Sequence, residues 1–268
     1  MKYLVALLVC YLYSFSSFSQ IVDKERCFYY NYTAHVSTID TNKVWKDQMI
    51  LVIKDGITVF ESYSNFRRNS EIKAMKERNV PSQEFAANLN KLPRANFKFA
   101  LQRNYNQQQH IYTDKIVKTN YRYAEKLTPL NWSIKKKTKV INGLHCQLAT
   151  TRLYGKEFEA WFTEEIPLQE GPYKFYGLPG LIVEVYDQSK SHHFLLSGNE
   201  NSCTYVEGDK EIVYIDVKRE EYLKAVRRYY GSVTQAYSEA GIQFNVDAEQ
   251  KKKMDQDMQV VNNLIEME

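Results

Sequence analysis

Residues 171–182 have the sequence Gly171-Pro172-Tyr173-Lys174-Phe175-Tyr176-Gly177-Leu178-Pro179-Gly180-Leu181-Ile182. This stretch concentrates three glycines and two prolines, in a chain with only 10 Gly and 6 Pro. Pro179-Gly180 suits the central positions of a type II turn, because proline fixes φ and glycine accepts the positive φ required next. Residues 181–186 are then predicted to leave the turn as a strand. We call residues 171–180 the signature segment.

Outward from this segment, the sequence predicts a β-rich chain. The dipeptides Asp55-Gly56 and Asn142-Gly143 indicate hairpins with type I′ turns, and Tyr154-Gly155 predicts a further turn. Alternating apolar residues beside these turns indicate an antiparallel sheet with one buried face. The 21 Tyr and 13 Phe also favour strands. The predicted strands are 28–36, 49–54, 57–63, 97–105, 111–118, 119–126, 136–141, 144–153, 156–163, 181–186, 192–197 and 211–216.

Helices are predicted in two regions of the chain. Ser70 and Ser82 are candidate N-caps for short helices in the first half. Asp216 is a candidate N-cap for a helix to about residue 230, and Asp247 with Gln250 resembles a capping box that begins a helix to about residue 265. The predicted fold class is mainly β (α+β), a single-domain curved antiparallel sheet or open barrel with C-terminal helices packed on it. The β-rich part is residues 20–216 and the helical part is residues 217–268.

The N-terminus has the layout of a secretory signal peptide. One positive charge precedes the apolar residues 3–13, and small Ser17 and Ser19 occupy the −3 and −1 positions if cleavage precedes Gln20. We therefore expect residues 1–19 to be removed and the mature protein to be periplasmic or secreted. A membrane anchor is disfavoured because the apolar run is too short to span, and a lipoprotein site at Cys10 is disfavoured by the bulky residue before it.

The cysteines and charges give weaker expectations. Cys27, Cys146 and Cys203 remain after cleavage and allow one bridge in an oxidising compartment, and we lean to Cys146 with Cys203. The net charge of +4 is mild, and the lysine runs 135–137 and 251–253 are predicted to form solvated faces. We expect no nucleic-acid partner and no membrane span after signal cleavage.

The signature segment carries a family resemblance. Residues 177–182, Gly-Leu-Pro-Gly-Leu-Ile, are the hexapeptide that names the GLPGLI family of bacterial envelope proteins, whose biochemical role is unknown. The resemblance implies a secreted protein with a shared fold and transfers no catalytic residue. Further landmarks look like those of the family, in order and at about the usual spacing: Trp132, Ile141-Asn-Gly-Leu-His-Cys146, Ala149-Thr150, Ala160-Trp-Phe-Thr-Glu-Glu-Ile-Pro167 and Gly171-Pro172.

Catalytic patterns are mostly absent from the sequence. It contains no Gly-x-Ser-x-Gly, no His-Glu-x-x-His and no phosphate-binding glycine-rich loop. A metal-dependent or acid–base hydrolase remains the alternative, with a site gathered from His35, His145 and His193 and from Glu164 or Glu165. We expect no catalytic residue, no metal and no cofactor.

The favoured hypothesis is a non-catalytic envelope protein that binds a protein or other envelope ligand through the signature segment. Large aromatic side chains supply contact area at low entropic cost, and exposed ones would mark a site. The alternative is that these rings point inward and the segment is a structural corner, which Lys174 would hold shut by pairing with Glu164 or Glu165. The candidate binding residues are Trp161, Tyr173, Lys174, Phe175 and Tyr176, and the structural residues are Gly171, Pro172, Gly177, Leu178, Pro179 and Gly180.

Overall fold

The computed structural model describes residues 25–201, 203 and 212–267, so the predicted signal peptide lies outside the described residues. The described chain forms one sheet of 12 strands. These strands are β1 (Arg26–His35), β2 (Val44–Lys54), β3 (Ile57–Ser62), β4 (Ala100–Asn104), β5 (Gln109–Ile116), β6 (Thr119–Lys126), β7 (Ser133–Ile141), β8 (Leu144–Leu153), β9 (Lys156–Thr163), β10 (Leu181–Asp187), β11 (His192–Glu200) and β12 (Ile215–Asp216). Their order in the sheet is β12-β6-β5-β4-β3-β2-β1-β11-β10-β9-β8-β7.

The turns between neighbouring strands follow local sequence. Asp55 and Gly56 have φ of 46° and 75°, and Asn142 and Gly143 have φ of 51° and 81°. Two successive positive φ angles are the mark of a type I′ turn, so both predicted hairpins are confirmed. Tyr154-Gly155 turns the chain in the same way, with φ of 48° and 80°.

The predicted mainly β fold class is confirmed, and the sheet is open. Strands β12 and β7 are the two edges of the described sheet. Eleven of the strands pair in antiparallel fashion, but β12 runs parallel to β6, so the sheet is mixed rather than purely antiparallel. Strands that are distant in this order nevertheless approach each other. Tyr154, in the turn between β8 and β9, donates a hydrogen bond from its hydroxyl to Glu125 on β6 at 3.3 Å. This contact shows that the sheet curves.

Edge strand β7 carries a run of exposed lysines. Lys135, Lys136 and Lys137 are exposed, as expected for a solvated run. The register with β8 is interrupted between Ile134 and Thr138. A register shift of this kind twists an edge strand and leaves part of it unpaired.

The sheet buries a large aromatic core on one face and a smaller cluster on the other. The main core includes Phe28, Tyr30 and Tyr32 of β1 with Phe60 and Phe194. The smaller cluster contains Cys27, Ile50 and Val52.

The disulfide joins Cys27 to Cys203, whose Cα atoms are 6.1 Å apart, so the expected pairing of Cys146 with Cys203 is wrong. Cys146 is a free thiol buried in the main core. Cys27 and Cys203 both belong to the smaller cluster on the opposite face, which separates Cys203 from Cys146.

The described residues contain five helices, none of which has the length and apolar character that a membrane crossing requires. Ser70 is not an N-cap, because the first helix begins seven residues earlier. Asp216 lies in β12 instead of capping a helix, and its carboxylate pairs with Arg122. Asp247 with Gln250 does form the predicted capping box, but that helix ends at Gln259. The helices are α1 (Tyr63–Glu77), α2 (Ser82–Lys91), α3 (Arg219–Gly231), α4 (Val233–Glu239) and α5 (Ala248–Gln259).

The signature segment forms a tight corner between β9 and β10. The predicted type II turn is absent, because Gly180 has φ of 159° instead of about 80°, and the Leu181 amide donates to Ile166 O at 3.0 Å instead of to Leu178. Gly180 is required for a different reason: a Cβ on it would lie 2.0 Å from Thr163 O. The corner is therefore set by the close approach of backbone to the end of β9.

Candidate functional site

The aromatic side chains of the signature segment point into the protein. Tyr173 and Phe175 are completely buried, Lys174 is 3% exposed and Tyr176 is 6% exposed. Trp161 is also buried, and its indole contacts Tyr186 on the neighbouring strand β10. The expected exposed aromatic surface is therefore corrected: these rings bury apolar area against the core, which stabilises the fold more than exposure would.

One end of the segment is fixed by a buried ion pair. Glu170 pairs with Arg103 on β4 and accepts hydrogen bonds from Tyr105 at 2.6 Å and from Thr58 at 2.9 Å. Arg103 also donates to the Tyr173 carbonyl at 2.8 Å, and its guanidinium lies 4.5 Å from the centre of the Tyr176 ring. Because both charges have several partners, the pair avoids the cost of an uncompensated buried charge.

Lys174 enters a second, partly buried group, the Lys174 cluster, which comprises Lys174, Glu125, Glu266, Arg219 and Tyr154. The Lys174 ammonium lies 2.7 Å from the Glu125 carboxylate and 2.7 Å from that of Glu266. It also donates to the Tyr154 hydroxyl. The prediction that Lys174 pairs with Glu164 or Glu165 is wrong, since its two partners come from β6 and from the residues after α5.

The charges of this cluster hold each other ionised. Arg219 on α3 binds the other oxygen of the Glu266 carboxylate at 3.0 Å and packs over the Tyr154 ring at 3.9 Å. Burial alone would raise the pKa of Glu266, but the charges of Lys174 and Arg219 outweigh it and hold the pKa below the ordinary glutamate value. The Tyr173 hydroxyl donates to the same carboxylate, which links the segment directly to the end of the chain.

Beside this cluster lies the aromatic cavity, of about 150 Å³. It is lined by residues of β1, β2 and β5, by the residues that precede β4, by α3 and α5, and by the residues that follow α5. Glu266 belongs to both the cavity lining and the Lys174 cluster, and Phe99 in the lining contacts Tyr173 with 6.0 Å between ring centres. The signature segment therefore supports the inner end of the cavity. The aromatic side chains of the lining are Tyr32, Trp45, Phe97, Phe99, Tyr112, Tyr222, Tyr229 and Tyr230.

A carboxylate stands among these rings. Asp114 on β5 accepts a hydrogen bond from the Tyr222 hydroxyl at 2.7 Å and another from the Lys115 amide at 2.7 Å. The Tyr222 hydroxyl lies 3.3 Å from that of Tyr112. Burial raises the pKa of Asp114 above its ordinary value, against the smaller opposing effect of the Tyr222 hydrogen bond. The cavity thus combines aromatic walls with two acidic groups, Asp114 and Glu266, of which Glu266 is paired with Lys174 and Arg219.

The structure brings together part of the alternative hydrolase site: His145, Glu164 and Glu165 line one surface pocket, whereas His35 and His193 do not line it. His145 contacts Glu165 at 2.9 Å on the exposed surface, and His193 contacts Glu184 at 2.9 Å. His35 contacts the Thr41 carbonyl at 3.3 Å. Within the described part of the chain, no group of three or more His, Cys, Asp or Glu side chains could hold a metal ion.

Sequence reasoning missed Asp114 and Glu266 as site residues. Asp114 sits between Thr113 and Lys115 in a strand of mixed polarity, which gives no sign that its carboxylate faces a cavity. The sequence did carry a signal for the cavity wall that α3 forms, since Tyr222, Val226 and Tyr230 fall on one side of the predicted helix. Their spacing predicts a packed face without revealing that a cavity remains beneath it.

Comparison with known proteins gives a short family match and a fold match. A family model described as "Protein of unknown function (Porph_ging)" matches residues 153–184, which include the whole signature segment. This match is consistent with a GLPGLI-type envelope family but covers too little of the chain to establish membership. No curated protein matches the sequence.

Two solved structures of PNGF-II resemble the chain. The first has a TM-score of 0.50 at 12% identity and covers 75% of this chain and 32% of that one. The second has a TM-score of 0.48 at 11% identity, and the match covers 76% of this chain and 32% of that one. The chain thus spans about a third of the length of these structures, and at such identity the first supports the fold alone.

Proposed function

We propose that this protein is a secreted or periplasmic, non-catalytic envelope protein that binds a small ligand in the aromatic cavity. In this proposal the signature segment is not the contact surface itself. Its buried side chains support the cavity through Phe99 and Glu266. A protein partner bound through an exposed aromatic loop is not proposed, because the candidate rings are buried.

The observation that carries the proposal is the aromatic lining of a cavity that opens to solvent on one side. An apolar, aromatic pocket with few oriented polar groups is the usual form of a small-molecule site. Cavities of about 150 Å³ hold a ligand of roughly the size of benzene. Trp45 and Tyr230, whose ring centres are 6.4 Å apart, give one wall flat apolar surfaces. The proposed ligand is therefore small and largely apolar.

A cavity-filling variant tests the proposed function. Val226→Phe would place a ring in the cavity from α3, whereas Arg227→Phe adds the same ring at the next, exposed position. Titration calorimetry of the mature protein with indole should show binding that Val226→Phe weakens at least about tenfold and Arg227→Phe leaves unchanged. Equal binding of indole by the two variants would contradict the proposal.

The proposed location outside the cytoplasm has support from the disulfide. A bridge between Cys27 and Cys203 is typical of oxidising compartments. Protein exported by a bacterial host and denatured without reductant should therefore react with iodoacetamide at Cys146 alone. Mass spectrometry that finds a second modified thiol in the mature chain would argue against the oxidising compartment.

A further inference from the structure

The position of Asp114 raises the question of what balances its charge. Its carboxylate has two hydrogen-bond donors, but no Lys or Arg side chain lies within ion-pair distance of it among the described residues. Asp114 is half-buried, and a carboxylate that is partly withdrawn from water is stabilised by an accompanying positive group. The nearby Glu266 offers no relief, because it is itself negative and is already neutralised by Lys174 and Arg219.

The rings around Asp114 are suited to a cation. The Tyr222 hydroxyl binds Asp114 at 2.7 Å, and the Tyr112 and Tyr222 ring centres are 5.3 Å apart. The Tyr229 and Tyr230 ring centres are 4.9 Å apart, and burial together with the charge of Asp114 raises the pKa of Tyr230. All four line the cavity. The face of an aromatic ring attracts a cation, and several rings around one space are how proteins hold quaternary ammonium groups.

Two lysines oppose a bound cation, but from the solvent side. Lys98 and Lys115 line the cavity with exposed side chains, and the charge of Lys98 lowers the pKa of Asp114 slightly. Exposed charges are screened by water and salt, whereas a carboxylate inside the cavity acts through a medium of lower dielectric constant. The balance inside the cavity therefore favours a positive ligand.

We propose that the aromatic cavity binds a small organic cation, with its ammonium group beside Asp114 and its methyl or methylene groups against Tyr112, Tyr222 and Tyr230. The proposal rests on the proposed function, since it names the ligand class of the same cavity. The volume of about 150 Å³ matches a compact head such as a trimethylammonium group and leaves no room for a long chain.

The test compares two probes of the same shape. Choline carries a trimethylammonium group, and 3,3-dimethyl-1-butanol has a carbon atom in place of the nitrogen and no charge. By calorimetry on the mature protein, choline should bind at least about tenfold more tightly than the alcohol. Asp114→Asn should remove this preference, since its side-chain oxygen still accepts from Tyr222 but carries no charge. Asp55→Asn, in a remote turn, should have no effect.

The outcomes separate the two proposals. If choline and the alcohol bind equally and Asp114→Asn has no effect, the proposal of a cationic ligand is overturned, whereas the cavity remains a ligand site. Failure of choline, the alcohol and indole to bind would overturn the proposed function as well. If Asp114→Asn does not fold, the comparison of the two probes on the unaltered protein decides the ligand class. Lys98→Gln should strengthen choline binding, and weaker binding would contradict the proposed orientation.

Discussion

At the scale of single residues, the signature segment is shaped by places where a side chain has no room. Gly180 lies against the backbone of Thr163, and Gly171 lies against Ile182 and the Phe175 carbonyl, where a Cβ would stand 2.8 Å from each. Gly177 differs, because its φ is 90° but the space around it is open. Two of these glycines are thus required by close packing and the third by backbone conformation alone.

Gly180→Ala should destabilise the protein much more than Gly177→Ala. The first change forces a methyl group into the Thr163 carbonyl and should cost about 3 kcal/mol or more, whereas the second adds only strain at a positive φ, about 1 kcal/mol. Urea unfolding followed by circular dichroism measures both. Equal losses for the two variants would mean that the close approach at Thr163 does not determine the corner.

Single residues also show why the site was difficult to predict. Asp114 and Tyr222 are 108 positions apart in sequence, and their hydrogen bond depends on how α3 packs across β5. Nothing local to either residue specifies that packing. The signature segment, in contrast, was identified from its own glycines and prolines, although the direction of its rings was not.

At the scale of elements, the hairpin turns were predicted well, whereas the type II turn and most helix starts were not. A type I′ turn needs two residues that accept positive φ, so Asp55-Gly56 and Asn142-Gly143 specify it locally. A serine or aspartate before a polar stretch is compatible with several structures. Ser70 lies inside α1, where its hydroxyl donates to the Phe66 carbonyl at 3.0 Å, and Asp216 pairs with Arg122 from a short edge strand.

Alanine at two predicted caps should therefore give different results. Asp247→Ala removes the side chain that accepts from the Gln250 amide at 2.7 Å and should cost about 1 kcal/mol. Ser70→Ala places a better helix former inside α1 and should change the free energy of unfolding by less than about 0.5 kcal/mol. Thermal unfolding of the two variants checks this. A larger loss for Ser70→Ala would show that its hydroxyl has a role beyond the helix.

At the scale of the whole molecule, buried charges join distant parts of the chain. Lys174, Glu125 and Glu266 come from the signature segment, from β6 and from the residues after α5, and they meet in one cluster. The mostly β class and the strand pairs formed by hairpins follow from alternation and turns. The long-range contacts of the Lys174 cluster and the curvature of the sheet cannot be predicted in this way, because they depend on how elements distant in sequence pack together.

Glu266→Gln should weaken the protein in a pH-dependent way. The folded-state pKa of Glu266 is below its ordinary value, so its contribution is complete above the unfolded pKa and is lost as pH falls through the folded pKa. We expect a loss of about 3 kcal/mol at pH 7, because Lys174 and Arg219 lose a buried partner. The difference from the unaltered protein should shrink below about pH 4.3.

Urea unfolding between pH 7 and pH 3 measures this difference. Glu239→Gln is the matched control, because it removes a carboxylate whose partner Arg228 is solvent-exposed. That variant should differ little from the unaltered protein at any pH. A difference for Glu266→Gln that stays constant across the range would show that its charge does not stabilise the fold.

The two ends of the open sheet bear on self-association. An unpaired strand offers its backbone N–H and C=O groups to any other extended chain, and two copies could join edge to edge into a continuous ladder. Strand β12 is only two residues long, and β7 combines exposed lysines with an interrupted register. Like charges facing each other across such a contact would repel, so the lysine-rich edge opposes the joining of two copies through β7.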